Sequence, residues 1–293
     1  MQQTREIIQK VKKLEITTKQ LVDGLITGNY HSIFKGQGIE FSESREYQLG
    51  DDIRTIDWKM TARFNQPYVK EFIEERDLYV YFAIDMSGSS RFGNNVQKRA
   101  KALEIVASLM FAAAKNNDNV GVFLFTDTIE TFIPARKGRK HMLKAISCIV
   151  RFQPHSTKTD LRTSLGFISK VIKKRSIIFI ISDFFDEDFL VPLKFLKNKH
   201  DVIALRVIDR REQQIPDIGL IELEDEETGE QLLVDTSDLE FRENYERQLK
   251  GYEETLFHSL RKIKVDVVNI LTDEAFEAPL KRFFKLRLQR VIR

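Results

Sequence analysis

The chain has 293 residues, of which 42% are hydrophobic and 31% are charged, so its composition is that of a folded globular protein and not of a disordered one. Its 47 basic and 44 acidic residues leave a formal net charge of +3, and this balance does not favour nucleic-acid binding, which usually requires a clearly basic face. Because Cys148 is the single cysteine of the sequence, an intrachain disulfide and a cluster of thiolate metal ligands are both excluded.

The N-terminal sequence carries no recognisable targeting signal. Residues 1–26 are polar and lack the uninterrupted apolar core of a signal peptide. Apolar runs elsewhere are shorter than the roughly 18 residues that a transmembrane helix needs. We therefore expect the chain in the cytoplasm.

The N-terminal quarter is predicted to combine a helix with a charged, loop-rich block. Apolar residues at helical spacing predict a helix over residues 5–26, ended by Gly28. Glycines and Pro67 then divide residues 36–76 into loops and short strands. We expect Trp58 to anchor this block as a small platform packed on the sheet, although a docking surface for a partner is a compatible interpretation. The charged residues expected to pair within the platform are Arg45, Arg54, Asp57, Arg63 and Glu74.

Strands and helices alternate from residue 77 onward. Apolar runs predict strands at 78–84, 120–125, 128–133, 177–181, 202–208 and 265–271, the third being antiparallel and ended by Pro134. Helical periodicity predicts helices at 96–115, 138–151, 160–174, 186–199, 238–262 and from 274 onward, and the segment 220–234 is typical of a hairpin with an acidic tip.

This alternation predicts a doubly wound α/β fold with a mostly parallel sheet. The N-terminal helical and loop-rich extension precedes it, and the hairpin, long helix, last strand and closing basic helix form a C-terminal α/β addition. We accordingly divide the chain into residues 1–76 and residues 77–293.

Side chains with oxygen ligands follow the predicted strands. Asp85, Ser87 and Ser89 come directly after the first sheet strand, Asp183 follows the strand at 177–181, and Thr159 lies in a loop before a helix. Because ligands gather at the carboxyl ends of the strands in such a sheet, all five side chains are expected to converge there. Hard oxygen ligands suit a small hard cation such as magnesium.

Each of these residues also has a simpler explanation when it is taken alone. Aspartate and serine are common turn residues that bond to their own backbone. Thr159 is a suitable N-cap for a helix that begins at Asp160, and Asp183 is a suitable cap for the helix after it. The ordered set on matching strand ends is what favours a metal site.

The pattern DxSxS, followed by a threonine and then an aspartate, resembles the metal-ion-dependent adhesion site of von Willebrand factor A-type domains. This resemblance implies that the hydroxyls and carboxylates hold Mg²⁺, with Mn²⁺ as an alternative, and that an Asp or Glu of a protein partner completes the coordination. The implied ligands are Asp85, Ser87, Ser89, Thr159 and Asp183. The chain departs from the family pattern before the threonine, where Thr157 and Lys158 replace a pair of glycines and Lys158 brings a cation toward the proposed ion.

A second set of motifs lies before the first sheet strand. It comprises Gly36-Gln-Gly-Ile-Glu-Phe41, Arg45-Glu-Tyr47, Gly50-Asp-Asp-Ile-Arg54, Ile56-Asp-Trp-Lys59, Ala62-Arg63, Val69-Lys-Glu-Phe72 and Glu75-Arg76-Asp77. These motifs resemble a bacterial family of unknown function that carries a von Willebrand factor A-type domain and is typically encoded beside MoxR-type AAA+ ATPases. The resemblance implies a role as adaptor or partner of such an ATPase in the assembly, maturation or stress handling of other proteins.

Together these patterns favour a metal-dependent protein-binding module and not an enzyme. The sequence contains no phosphate-binding loop, no zinc-protease helix motif and no nucleophile elbow. The alternative is a magnesium-dependent hydrolase or phosphatase that uses Asp85 and Asp183. Against this alternative, Ser87 stands where phosphatases of the haloacid-dehalogenase type carry a second aspartate. No sequence pattern identifies the partner protein or the oligomeric state.

Overall fold

The computed structural model describes residues 40–73, 78–88, 97–224 and 229–292. The predicted helix over residues 5–26 therefore lies outside the described residues, as do Ser89 and Glu74. The described chain divides into two compact units, the first of which ends at Leu78 while the second begins at Tyr79.

The first unit is built on a two-stranded antiparallel sheet. Its strands are β1 (Glu40–Glu46) and β2 (Tyr68–Ile73), and between them lie a one-turn 3₁₀ helix (Ile53–Thr55) and the helix α1 (Trp58–Phe64). Asp57 caps α1, because its side chain accepts hydrogen bonds from the first-turn amides. The short strands and loops predicted for this block are thus present.

The predicted platform differs from the observed one in its contacts. Arg45 forms a two-pronged ion pair with Asp51, which is outside the predicted set, and both N–O distances are 2.8 Å. Asp57 is engaged by α1 and by the Ser44 hydroxyl, which donates to it at 2.8 Å. Trp58 is 69% exposed, so its prediction as the apolar anchor is wrong. It occupies the first position of a helix in which no residue is buried.

The second unit alternates strands and helices. In chain order they are β3 (Tyr79–Asp85), α2 (Gln97–Lys115), β4 (Asn119–Phe125), β5 (Ile129–Arg136), α3 (Arg139–Arg151), α4 (Leu161–Val171), β6 (Ile177–Ile181), α5 (Leu190–Lys199), β7 (Asp201–Ile208), α6 (Arg210–Gln213), β8 (Leu220–Glu224), β9 (Gln231–Asp235), α7 (Leu239–Lys262), β10 (Asp266–Leu271) and α8 (Glu277–Ile292).

Six of the described strands form one sheet in the order β10-β7-β6-β3-β4-β5. All neighbouring strands are parallel except β4 and β5, which are antiparallel. Strands β8 and β9 form a separate antiparallel hairpin. This topology confirms the predicted doubly wound, mostly parallel α/β fold.

Helices cover both faces of the sheet, which explains the continuous apolar strands. On one face, the strand residues Phe123 and Ile180 share a buried cluster with Leu165 of α4 and Leu260 of α7. On the other face, α2 contacts β4 and β7. Within the described ranges, no helix is both long and apolar enough to cross a membrane.

Several element boundaries differ from the predicted ones for local reasons. Helix α4 begins at Leu161 because Asp160 is its N-cap, and α5 begins at Leu190, four residues later than predicted. Strand β5 continues through Pro134 to Arg136. A proline is tolerated there because β5 is the last strand of the sheet and its pairing with β4 is irregular at this end. The short helix α6 was not predicted.

Candidate metal centre at the carboxyl end of the sheet

Asp85 and Asp183 are brought together by the pairing of two central strands. Strands β3 and β6 are parallel neighbours in which Ile84 is level with Ile181. The residues that follow, Asp85 and Ser182, therefore emerge side by side, and the Ser182 hydroxyl donates to Asp85 Oδ2 at 2.8 Å. Asp183 directly follows Ser182 after the end of β6.

Asp85 is a buried carboxylate with a fixed orientation. Its side chain is held by the Ser87 amide at 3.0 Å and the Ser87 hydroxyl at 2.6 Å, both of which donate to Oδ1. Asp85 and Ser87 are 6% and 0% exposed. Burial raises the pKa of Asp85 to about 7, and the nearby charge of Asp183 contributes to this rise. A cation between the two carboxylates would offset both the burial of the Asp85 charge and its repulsion by Asp183.

The loop that carries Thr159 is hydrogen-bonded to the segments that follow two strands, β3 and β4. The carbonyl of Thr157 accepts from the Gly88 amide at 2.7 Å, which joins the loop to the segment after β3. The Asp160 amide donates to the Thr126 carbonyl at 3.2 Å, just after β4. Thr159 itself is half-buried and lies between these two contacts. The loop is thus held at the same end of the sheet as Asp85.

Strand β5 supplies a further support for this loop. The carboxylate of Glu130 accepts from the His155 amide at 3.1 and 3.0 Å and contacts His155 Nδ1 at 2.7 Å. The Thr126 hydroxyl also donates to Glu130, at 2.6 Å. Burial alone would raise the pKa of Glu130, but these hydrogen bonds outweigh it and leave the pKa below its ordinary value.

Asp183 is held by donors on both of its carboxylate oxygens. Oδ1 accepts from the Phe185 amide at 3.2 Å, and Oδ2 lies 3.3 Å from the ammonium nitrogen of Lys98. The same ammonium donates to Glu212 at 2.8 Å. Burial would lower the pKa of Lys98, but the two facing carboxylates outweigh it and raise the pKa above its ordinary value.

The simpler explanations of Thr159 and Asp183 as helix caps are wrong. The N-cap of α4 is Asp160, whose side chain accepts from the Thr163 amide at 2.7 Å. Helix α5 begins after Phe189, so Asp183 is too far from it to act as its cap. Neither residue is therefore the N-cap of the helix to which the sequence pattern had linked it.

Sequence reasoning missed three residues around the site: Ser182, Lys98 and Glu212. Ser182 had a local signal, because it directly precedes Asp183 at a strand end. Lys98 and Glu212 had no such signal. Lys98 is separated in sequence from Asp183 by 85 residues and from Glu212 by 114 residues. The cation that faces Asp183 is that of Lys98, whereas Lys158 is exposed.

The described residues fit a small hard cation. Two carboxylates and the Ser87 hydroxyl meet at one sheet end, beside the loop of Thr159, and these oxygen donors are the kind that Mg²⁺ and Mn²⁺ accept. Within the described ranges, no three His, Cys, Asp or Glu side chains form a metal-binding group. Among these residues, a metal ion beside Asp85 and Asp183 would therefore need hydroxyl or water ligands in addition to the two carboxylates.

The fold and this site define a doubly wound α/β protein with an oxygen-rich cluster at the carboxyl end of its sheet. The chain belongs to the protein family of unknown function DUF58, whose model matches residues 43–255. It is 30% identical over 284 residues to the uncharacterized protein Rv1480 of Mycobacterium tuberculosis, a match that covers 94% of this chain and 88% of that protein.

Solved structures overlap the chain in part. The conserved hypothetical protein BatB from Bacteroides thetaiotaomicron is 16% identical, with a TM-score of 0.46, and the match covers 73% of this chain and 98% of that one. Proximal thread matrix protein 1 from the mussel byssus, described with a zinc-occupied MIDAS motif, is 14% identical, with a TM-score of 0.40 and coverage of 73% and 48%.

Proposed function

We propose that this protein is a metal-dependent protein-binding module and not an enzyme. Mg²⁺, or Mn²⁺ in its place, would be held by the side chains of Asp85, Ser87, Ser89, Thr159 and Asp183. When bound, the ion supplies positive charge and a coordination position that the carboxylate of a partner's Asp or Glu can occupy. The proposed partner is a MoxR-type AAA+ ATPase or its client protein, in the cytoplasm, where the chain would act as an adaptor in assembly, maturation or stress handling.

The observation that carries this proposal is the environment of Asp85. A carboxylate with 6% exposure lies beside a second carboxylate, and its orientation is fixed by the hydroxyls of Ser87 and Ser182. The ammonium of Lys98 compensates Asp183, whereas the hydrogen-bond donors to Asp85 are neutral groups of Ser87 and Ser182. Burial of a carboxylate beside a like charge is unfavourable, and a cation bound to Asp85 would offset it. Such an arrangement is more typical of a ligand site than of a structural ion pair, and its place at the carboxyl ends of parallel strands is where α/β proteins bind ligands.

Titration calorimetry of the metal-stripped full chain with MgCl₂ and MnCl₂ tests metal binding. We expect saturable binding by the wild type and none by Asp85→Asn, which keeps the side-chain volume but removes the charge. Asp201→Asn is the matched control, because Asp201 begins β7 at the opposite end of the sheet and pairs with Lys197 and Arg287. Equal binding by the wild type and Asp85→Asn would refute the proposed ligand set.

The partner is tested with a purified MoxR-type AAA+ ATPase. The immobilised full chain should retain the ATPase in MgCl₂ and release it in EDTA, while Asp85→Asn retains none in either buffer. Retention that is unaffected by EDTA and by Asp85→Asn would mean that the ATPase binds elsewhere. The charged first unit would then be the surface to test.

A further inference from the structure

A buried ammonium already compensates one of the proposed ligands. Lys98 is the second residue of α2, and it is only 5% exposed. Its nitrogen lies 2.8 Å from Glu212 Oε1 and 3.3 Å from Asp183 Oδ2. Helix α2 thereby reaches the segment after β6 through Asp183 and the helix α6 after β7 through Glu212.

The contacts of this ammonium with Glu212 and Asp183 differ in length. Withdrawal of an ammonium from water is unfavourable unless it is paired, so Lys98 needs at least one carboxylate. Glu212 is the nearer partner, and its carboxylate also accepts from the Asp209 amide at 3.4 Å as part of the cap of α6. Asp183 is the more distant partner. Lys98 could therefore lose Asp183 and still keep a counter-charge.

A cation bound by Asp183 would meet the ammonium as a competitor. The carboxylate of Asp183 has its Oδ1 engaged by the Phe185 amide and its Oδ2 by Lys98. Two positive charges close to one carboxylate repel each other, and the repulsion is strong where little water is present. Affinity for the cation then depends on how firmly Lys98 holds Asp183.

We propose that Lys98 is a built-in competitor that lowers the affinity of this site for divalent cations, and that Glu212 limits the competition by drawing the ammonium away from Asp183. This inference rests on the proposed function. It makes Lys98 and Glu212 the residues that set the metal concentration at which the site fills. Replacement of Lys98 should raise the affinity for the cation, and replacement of Glu212 should lower it. A general loss of structure would lower the affinity in both variants.

The test is calorimetric titration of the metal-stripped full chain with MgCl₂. Lys98→Met should bind Mg²⁺ about tenfold more tightly than the wild type, a change of the size seen when outer residues of metal sites are altered. Glu212→Gln should bind Mg²⁺ more weakly. Of the two carboxylates beside the Lys98 ammonium, only Asp183 keeps its charge in this variant, so the ammonium should be drawn toward Asp183. Lys101→Met is the control, since Lys101 lies one turn further along α2 and donates to the Glu274 carbonyl at 3.0 Å.

Thermal unfolding gives a second readout. Without metal, Lys98→Met should melt below the wild type, because Asp183 and Glu212 have lost their shared counter-charge. With saturating MgCl₂ it should gain more in melting temperature than either the wild type or Lys101→Met. Circular dichroism before each titration establishes that the variants are folded.

The titration results distinguish failure of the role of Lys98, of the role of Glu212 and of the proposed function itself. If the wild type binds Mg²⁺ but folded Lys98→Met binds it equally or more weakly, the role of Lys98 is overturned and the proposed function stands. If Glu212→Gln binds more tightly than the wild type, the role of Glu212 is overturned. If neither the wild type nor Lys98→Met binds a divalent cation, the proposed function fails and this inference fails with it.

Discussion

At the scale of single residues, Asp85 links the stability of the fold to pH. Its pKa is about 7 in the fold against 3.8 in an exposed carboxyl, so between these values the metal-free fold holds more protons than the unfolded chain. The metal-free protein should therefore lose stability as pH rises from about 4 to about 7. Asp85→Asn cannot ionise and should be more stable than the wild type at pH 8 by about 2–4 kcal/mol.

Urea denaturation in EDTA across this pH range measures the difference. The wild-type free energy of unfolding should fall relative to that of Asp85→Asn up to pH 7 and then run parallel to it. Affinity for Mg²⁺ should change in the opposite direction and be higher at pH 8 than at pH 6, because the proton and the cation compete for one carboxylate. Parallel stability profiles at every pH would show that Asp85 ionises normally.

Ser182 orients Asp85, although the sequence pattern gave it no role. Its hydroxyl donates to Asp85 Oδ2 at 2.8 Å and accepts from the Phe184 amide at 3.1 Å. Ser182→Ala should weaken Mg²⁺ binding about tenfold, as expected for a residue that orients a metal ligand. Ser176→Ala is the matched control, because Ser176 is also buried and stands just before the opposite end of β6. Equal affinities of the two variants would remove Ser182 from the site.

At the scale of elements, the loop between α3 and α4 depends on Glu130 of β5. Replacement of this carboxylate by alanine removes the acceptor of the His155 amide and the nearer acceptor of the Thr126 hydroxyl, which keeps Asp127 Oδ1 at 3.1 Å. Glu130→Ala should lower the free energy of unfolding by about 1–3 kcal/mol and weaken Mg²⁺ binding through displacement of Thr159. Urea denaturation and MgCl₂ titration check both effects. A destabilised variant with unchanged affinity would show that the loop does not take part in binding.

The end of α5 is predicted to be sensitive to acid. His200 is 4% exposed, and neither ring nitrogen has a hydrogen-bond partner among the described residues. Burial lowers the pKa of His200 to about 4 from 6.5, so the unfolded chain binds the proton more readily than the fold does. Stability should therefore fall as pH drops from 6.5 toward 4, by about 3 kcal/mol in total.

The substitution His200→Leu isolates this contribution. Leucine keeps the site apolar and cannot bind a proton, so the variant should be less acid-sensitive than the wild type between pH 6.5 and 4. Urea denaturation at several pH values in this range measures the difference. An identical acid dependence of the two proteins would show that His200 reaches solvent when it becomes protonated.

At the scale of the whole molecule, bound metal should stabilise the chain. A ligand present at 100 times its dissociation constant, and bound only by the fold, adds about 2.7 kcal/mol to the free energy of unfolding. Addition of MgCl₂ to the metal-stripped wild type should therefore raise its melting temperature, and EDTA should reverse the rise. Asp85→Asn should show no shift, and a shift equal to that of the wild type would indicate metal binding at another site.

The fold was predictable because its signals are local. Continuous apolar runs identified the central strands, and alternation with helices identified a parallel sheet, so the positions of Asp85 and Asp183 at its carboxyl end followed. Boundaries were less accurate where a single side chain decides them, as with Asp160 at the start of α4. Trp58 was misjudged because the sequence does not show which side of a short helix is covered.

The surroundings of the site were less predictable than its ligand pattern. The ammonium of Lys98 meets Asp183 and Glu212 across separations of 85 and 114 residues, which no local pattern can show. The same applies to Glu130, which reaches His155 from an antiparallel strand 25 residues away. These contacts depend on strand order, and strand order is a property of the folded molecule.

The most direct test of the metal site is anomalous diffraction from crystals of the full chain grown with MnCl₂. We predict a peak at the carboxyl end of the sheet, in bonding contact with the Ser87 hydroxyl and close to the carboxylates of Asp85 and Asp183. The peak should be missing from crystals of Asp85→Asn grown in the same way. Wild-type crystals with saturating Mn²⁺, an intact Asp85–Ser182 contact and no peak at this position would contradict the account.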